Sequence, residues 1–436
     1  MEFLSLWWSI PFLGIIFSIA FVPLWFPEFW ERGASYVTGF WSAVYLSNVA
    51  YFFGFSKVFE AIFNPMIGDY IPFIILISSL YIISGGIYVN FPRGRGPLFN
   101  TLYLFFGSFI AGWIGTTGAS ALLIRPYLRA NSGRKHSTHL IIFFIFLVAN
   151  IGGAATPLGD PPLFIGFLKG VDFFWFLKNL YIQLFCTIGI LCLLFFIMDS
   201  VLYRTDHAIS LPSDDAPFFQ MEGKINILLI LLVLATVILC HFDGEFFLWR
   251  ERVAYSSLVR NLLLLTLSAI SLRNTPAHIK WKNGFSMAPI REIAELFLGI
   301  FITVVPIICI LHQGKEGSLG ALFQWIAPTG EFLAARCFWI SGLLSSFLDN
   351  APTFLIFFHL TSGDPQALMT TKAHILTAFS ISTVFMGALT YIGNAPNLIV
   401  KSVAITYGQR VPSFLGYMAW SIPILIPVFV IIARFL

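Results

Sequence analysis

Two carboxylates stand in apolar runs where a charge is out of place. Asp160 lies in Asn150–Pro162 (NIGGAATPLGDPP) and Asp349 in Leu348–Thr353 (LDNAPT). A carboxylate inside a membrane-length apolar segment is costly and rarely idle. The oxygens of Asp, Asn and Thr are hard ligands, suited to a hard cation, and a carboxylate that releases a cation can take up a proton in its place. The first stretch adds Asn150 and Thr156, and the second adds Asn350 and Thr353. A third interruption, Gly387–Asn397 (GALTYIGNAPN), adds Thr390, Asn394 and Asn397. Asn394 there takes the place of Asp160, and Asn397 that of Leu163. A fourth, Gly115–Ser120 (GTTGAS), adds Thr116, Thr117 and Ser120. Together these residues read as one cation- and proton-binding cluster, with Asp160 and Asp349 as the ligands of a metal ion, Na+. Helix capping is the plainer role for both carboxylates, since Asp before Pro is a good N-cap and Pro352 would lie in the first turn after Asp349. The two roles are compatible.

The elements that must position these groups follow from composition. Of 436 residues, 58% are hydrophobic and only 11% charged, against about 25% charged in a soluble protein. The chain is therefore expected to be an all-α polytopic membrane protein with the lipid bilayer as its main solvent. The 49 Phe and 12 Trp suit lipid-facing and interfacial surfaces. A net charge of +4 is too mild to point to nucleic acid. The five cysteines (Cys186, Cys192, Cys240, Cys309, Cys337) show no CxxC or metal spacing and read as small apolar side chains. The start of the chain lacks a basic stretch, so its first apolar run is expected to remain as a membrane helix rather than be cleaved.

Span-length runs cover about 4–26, 35–55, 71–89, 139–168, 173–198, 225–241, 255–272, 289–311, 371–403 and 412–436. Two more, about 98–128 and 332–360, are broken in the middle by small and polar residues, and each half is too short to cross. Both read as re-entrant hairpins. Arg93 and Arg95 before the first hairpin, and Arg125, Arg129, Arg134 and Lys135 at its far end, place both ends on the positive, cytoplasmic side. Counting spans from there makes the second hairpin enter from the opposite face.

The chain also repeats. Residues 153–162 (GAATPLGDPP) align with 387–396 (GALTYIGNAP), and 117–124 (TGASALLI) with 349–356 (DNAPTFLI). The expected organisation is two inverted-topology repeats, 1–210 and 211–436. Each would hold a re-entrant hairpin (about 98–128 and 332–360) and a discontinuous helix (about 139–168 and 371–403). Paired interrupted helices in inverted repeats are the architecture of secondary transporters, with the site at the interruptions.

Of the remaining polar groups, Glu295 follows Arg291 by four residues, so an ion pair along the helix is the default and a proton-relay role the alternative. Asp69 precedes its span and reads as interfacial. The histidines fall mostly in loops (His136, His139, His207, His278, His312) or at span ends (His241, His359, His374), with no HExxH zinc motif.

The GGxxTPLGDPP stretch from Gly152 to Pro162, the DNAPT tip at 349–353 and YIGNAPN at 391–397 resemble the ion transporter (ArsB/NhaD) superfamily. It holds NhaD-type sodium/proton antiporters, citrate and dicarboxylate transporters, and arsenite permeases. Residues 69–87, 289–297 and 400–418 resemble its "putative citrate transport"/sodium:proton antiporter branch. By that resemblance Asn150, Asp160, Asp349 and Asn350 match the functional polar residues of the NhaD-type antiporters. The first hairpin departs from them: those antiporters resemble an Asp-Asn tip, and here residues 116–120 read TTGAS. The Ser-Asn-Thr pattern of the dicarboxylate members is at neither hairpin.

The sequence thus points to a secondary transporter of the cell (inner) membrane that exchanges Na+ or Li+ for H+ by alternating access. Cation-coupled transport of citrate or a dicarboxylate is the alternative. No enzyme activity and no bound cofactor are expected. An intramembrane aspartyl protease would resemble a Gly-x-Gly-Asp motif, and Pro157 stands where its first Gly belongs. Partners are Na+ and H+, with oligomeric state open and a homodimer among the options.

Overall fold

The computed structural model describes residues 5–91, 96–205, 219–240, 242–248, 251–318, 320–328 and 332–436. Arg93, Arg95, His207, His241 and the expected boundary at 210–211 lie outside them. In lipid an apolar segment must satisfy its backbone internally, so the runs become helices. Among the described residues seven helices are long and apolar enough to cross a membrane: Phe55–Gly85, Pro97–Ile114, Thr138–Ala155, Phe173–Thr205, Tyr255–Asn274, Ala288–Ile310 and Phe414–Phe435. Shorter apolar helices cover Leu6–Ile19, Ile225–Leu239, Ala334–Leu348 and Ala373–Leu389. Strands among these residues are limited to two small antiparallel pairs, Tyr88–Asn90 with Gln220–Glu222 and Glu245–Leu248 with Glu251–Ala254. The all-α polytopic expectation holds.

Thr138–Ala155 is the central element, with 94% of it buried inside the protein. Apart from Thr138, His139 and Asn150, its residues are apolar on every side, as a helix surrounded by protein requires. Around it stand the two hairpins. The first pairs Pro97–Ile114 with Thr116–Ala130 through Gly115. Its first limb, at 18 residues, is long enough to cross by itself, contrary to the expectation that each half is too short, because the polar interruption begins only at Gly115. Tyr103 Oη donates to the Leu123 carbonyl at 2.8 Å, and the Tyr103 and Tyr127 rings lie 5.0 Å apart, so residues on either side of Gly115 face each other. The second hairpin pairs Ala334–Leu348 with Asn350–Thr361 through Asp349.

The two turning residues share one backbone conformation, φ 84° and ψ 141° at Gly115 and φ 69° and ψ 150° at Asp349. That region is tolerated by glycine and costs other residues on the order of 1–3 kcal/mol. Asp349 is the one non-glycine with positive φ among the described residues. Positions 115 and 349 are 234 apart, as are Gly153 and Gly387, and Asp160 and Asn394. The residue similarity that set Thr117 opposite Asp349 is two positions out of this register. Thr117 lies in the first turn after the tip instead.

The broken helices follow from glycine and proline content. Thr138–Leu147 gives way to a 3-10 turn at Ile151–Ala155, then an extended stretch, then Pro161–Leu168. Ala373–Met386 is followed by a turn at Gly387–Leu389 and by Ala395–Thr406. Freed backbone groups at such depth need partners, and they have them. Thr116 N–H donates to the Gly159 carbonyl at 2.8 Å, and Thr156 Oγ1 donates to the Gly112 carbonyl at 2.5 Å. Thr390 Oγ1 repeats the latter bond, 234 positions on, to the Ser346 carbonyl at 2.5 Å.

A buried ionic cluster fixes the base of the first hairpin. Asp199 accepts from Arg134 at 2.6 Å, from His139 at 2.8 Å and from Asn100 at 3.0 Å, and Asn100 also pairs with Asn131. His139 is therefore a buried partner in a helix, not a loop residue. Asp69 sits in a single π-helical turn, Met66–Tyr70, and binds Lys169 Nζ at 2.8 Å. That pair ties the helix Phe55–Gly85 to the end of the first broken helix.

Candidate functional site

Asp160 is extended (φ −147°, ψ 147°) just ahead of Pro161, and its carboxyl does not cap the helix it precedes. It points across the break instead. Thr116 Oγ1 donates to it at 2.6 Å, Asn394 Nδ2 at 3.2 Å, and Asn350 Nδ2 donates to its other oxygen. Thr116 and Asn350 are the first residues of the returning hairpin limbs, and Asn394 precedes the helix Ala395–Thr406. Four helix N-termini therefore meet at one carboxylate, counting that of Asp160 itself. Their amide dipoles and three neutral donors surround a carboxyl group whose residue is only 2% exposed. Among the described residues no Lys, Arg or His pairs with it.

The amides extend the cluster. Asn394 Nδ2 also reaches the Ala149 carbonyl and Asn150 Oδ1, each at 3.2 Å. Asn150 Nδ2 donates to Asn397 Oδ1 at 2.7 Å and to the Ile145 carbonyl at 2.8 Å. Asn397 Nδ2 then closes the second break, donating to the Gly387 and Thr390 carbonyls at 2.9 Å each. Asn150 and Asn397, 247 residues apart, thereby join the two broken helices directly.

Asp349 does cap its helix: its Oδ1 accepts from Asn350 N–H at 2.6 Å, and its carbonyl accepts from Thr353 Oγ1 at 2.9 Å. Asn350 is thus the link between the two carboxylates, its backbone on Asp349 and its amide nitrogen on Asp160. Its Oδ1 is buried with no hydrogen-bond partner, and so is Ser120 Oγ, one helical turn beyond Thr116. Unsatisfied buried oxygens are uncommon and call for an explanation such as an ion.

Asp349 is half-buried because it opens on a cavity of about 410 Å³. Tyr81, Arg125, Ser286 and Glu292 line the same space. Arg125 was read from the sequence only as a topology-setting charge, and Glu292 was not singled out. Glu295 pairs with Arg291 at 3.7 Å, its side chain 39% exposed, and does not line this cavity. Thr117 shares a small pocket with Thr116 and Asp160. The geometry thus brings Asp160, Thr116, Asn350, Asn394, Asn150 and Asn397 into one bonded network. Thr156, Thr390 and Thr353 hold the backbone that shapes it.

Glycine is required where this network is tightest. A Cβ on Gly153 would lie 2.7 Å from Thr116 Cγ2 and 2.9 Å from Asp160 Cβ. Such overpacking costs roughly 1–3 kcal/mol or forces the neighbours apart. Gly153→Ala is expected to weaken transport sharply while the protein still reaches the membrane, measured as uptake normalised to protein in purified vesicles. Unchanged uptake would mean that the contact between Thr116 and Asp160 does not matter.

Hairpins and broken helices meeting at a polar centre are what a membrane carrier needs, and the comparison with known families agrees with that geometry. No curated protein matches the chain. The family described as "Putative citrate transport" matches residues 1–436. The chain is an integral membrane protein and belongs to that transporter family.

Proposed function

We propose that the protein is a secondary transporter that exchanges Na+ or Li+ for H+ at the cluster joining Asp160 to Asp349. The observation that carries this reading is the buried Asp160 carboxylate, held by neutral donors and lacking a basic partner among the described residues. It is linked through Asn350 to a second carboxylate on a cavity wall. Asn350 Oδ1 and Ser120 Oγ, both unpaired, are spare hard ligands nearby. The limbs ending at Ile114 and Leu348 also turn the negative ends of their helix dipoles toward the tips, which suits a cation. The two halves, 1–210 and 211–436, would act as inverted repeats in the cell membrane, rocking about the cluster for alternating access.

A second reading is cation-coupled uptake of citrate or a related carboxylate. Arg125 on the wall of the Asp349 cavity favours it, since a guanidinium can grip a carboxylate in bidentate fashion. The family description points the same way.

Everted vesicles with an internal pH-sensitive dye separate the two. Na+ or Li+ alone should move protons under the first reading. A signal that appears only when citrate is added would support the second. Under the exchange reading protons and Na+ compete for the same carboxylates. Apparent Na+ affinity should then rise with pH until they are fully ionised, and the rate should pass through a maximum, because at high pH protons become scarce. Na+ affinity that is flat across the pH series would rule out that competition.

A further inference from the structure

We propose that the ion pair of Asp69 and Lys169 is a latch that shuts the outer opening of the transport site, in a carrier whose inner opening is the cavity at Asp349. This deepens the transport reading and rests on its alternating access. The cavity runs toward the basic end of the molecule. Exposed Gly284, Ser286 and Ser402 line it there, with Lys282 close by in the chain, and Arg125 on its wall is one helical turn before Arg129. Positive charge marks the cytoplasmic side, so this opening faces inward. Asp69 and Lys169 stand at the far ends of the helices whose other ends carry the Arg129–Val89 and Arg134–Asp199 contacts, and so face outward.

The register of 234 positions locates the second opening. Asp349, Ile392, Ala395 and Leu398 line the cavity of about 410 Å³. Their counterparts, Gly115, Leu158, Pro161 and Phe164, line the small pocket beside Asp160, which holds about 20 Å³. The same four positions are thus open on one side and collapsed on the other. Lys169 follows the helix Pro161–Leu168 that starts at Asp160, and it binds Asp69 at 2.8 Å with side chains only 26% and 17% exposed. Arg260 adds a second clasp, its guanidinium 5.6 Å from the Phe167 ring. In the second half Thr303 and Val403 take the places of Asp69 and Lys169, and Pro306 that of Pro72. Neither Thr303 nor Val403 carries a charge, and Val403 lines the open cavity. Asp69 also sits in the π-helical turn Met66–Tyr70, an irregularity that recurs at functional sites. An ion pair at one opening and none at the other biases the carrier toward its inward-open form.

Labelling with a membrane-impermeant maleimide tests this, in the full chain with its five native cysteines replaced by Ser. Ile77→Cys, on the small pocket, should label slowly from outside, and Ser402→Cys rapidly from inside. Asp69→Asn and Lys169→Gln should each speed the outer labelling of Ile77→Cys by about fivefold, the bias that a shielded ion pair supplies. The charge swap Asp69→Lys with Lys169→Asp should restore the slow rate, which a packing role for either residue would not. Tm shows that each variant is folded; if the single variants do not fold, the swapped chain alone must label as slowly as its parent. Outer labelling unchanged in the single variants, a rate that the swap fails to restore, or Ser402→Cys labelling from the outer face would each overturn the proposal. These rates are read without Na+ or a proton gradient, so a failure of the Na+/H+ reading would leave them intact.

Discussion

Asp160→Asn is expected to bring Na+-driven proton movement down to the background of empty vesicles while the protein still inserts. The substitution keeps shape and removes the titratable charge. It also turns one acceptor oxygen into a donor among three groups that donate to Asp160. If the new nitrogen takes the place of Oδ1, the Thr116 hydroxyl can rotate to accept but the Asn394 amide would have to turn over; if it takes the place of Oδ2, the Asn350 amide would have to. A mispaired buried donor costs about 1–3 kcal/mol, so a modest fall in Tm should accompany the loss. Tm measured with transport on the same preparation distinguishes the effects. Wild-type transport at a lowered Tm would leave Asp160 with a structural role alone.

Asp349→Gly is expected to move in opposite directions on the two measurements. Asp349 occupies a conformation that disfavours a side chain by on the order of 1–3 kcal/mol, and glycine removes that strain. The capping bond to Asn350 N–H is lost, yet replacing a cap by glycine costs only a few tenths of a kcal/mol. Strain relief wins, and Tm should rise. The equivalent position of the first hairpin is already Gly115, at nearly the same φ and ψ. Transport should be lost because the carboxylate on the cavity is gone. A stable variant that still transports would remove Asp349 from the mechanism.

The interruptions were readable because glycine and proline act locally. Gly152, Gly153, Gly159 and the paired Pro161 and Pro162 break a helix wherever they stand. The convergence of Thr116, Asn350 and Asn394 on Asp160 followed from the repeat and the hairpins. Contacts set by packing were not readable. The first tip was placed two residues late because a match between residue strings does not report which residue takes positive φ. Glu292, not Glu295, lines the cavity because helical phase against neighbours decides which face is turned inward.

The Asp199 cluster escaped notice for another reason. Its members Asn100, Asn131, Arg134, His139 and Asp199 lie in separate segments. Their counterparts 234 positions on are Ala334, Pro365, Leu368, Ala373 and Ala433. Nothing in the second half repeats them, so the internal similarity could not point to them. An unexplained carboxylate in the long apolar run Phe173–Thr205 was the available signal.

Proton release on Na+ addition to the purified protein in weak buffer tests the central claim most directly, because it needs no gradient and no orientation. If Asp160 and Asp349 exchange a cation for a proton, Na+ should release protons from the wild type, and the release should fall in Asp160→Asn. Choline at the same ionic strength should release none. Na+ binding with no proton release at any pH in a neutral series, or release that survives unchanged in Asp160→Asn, would contradict the account.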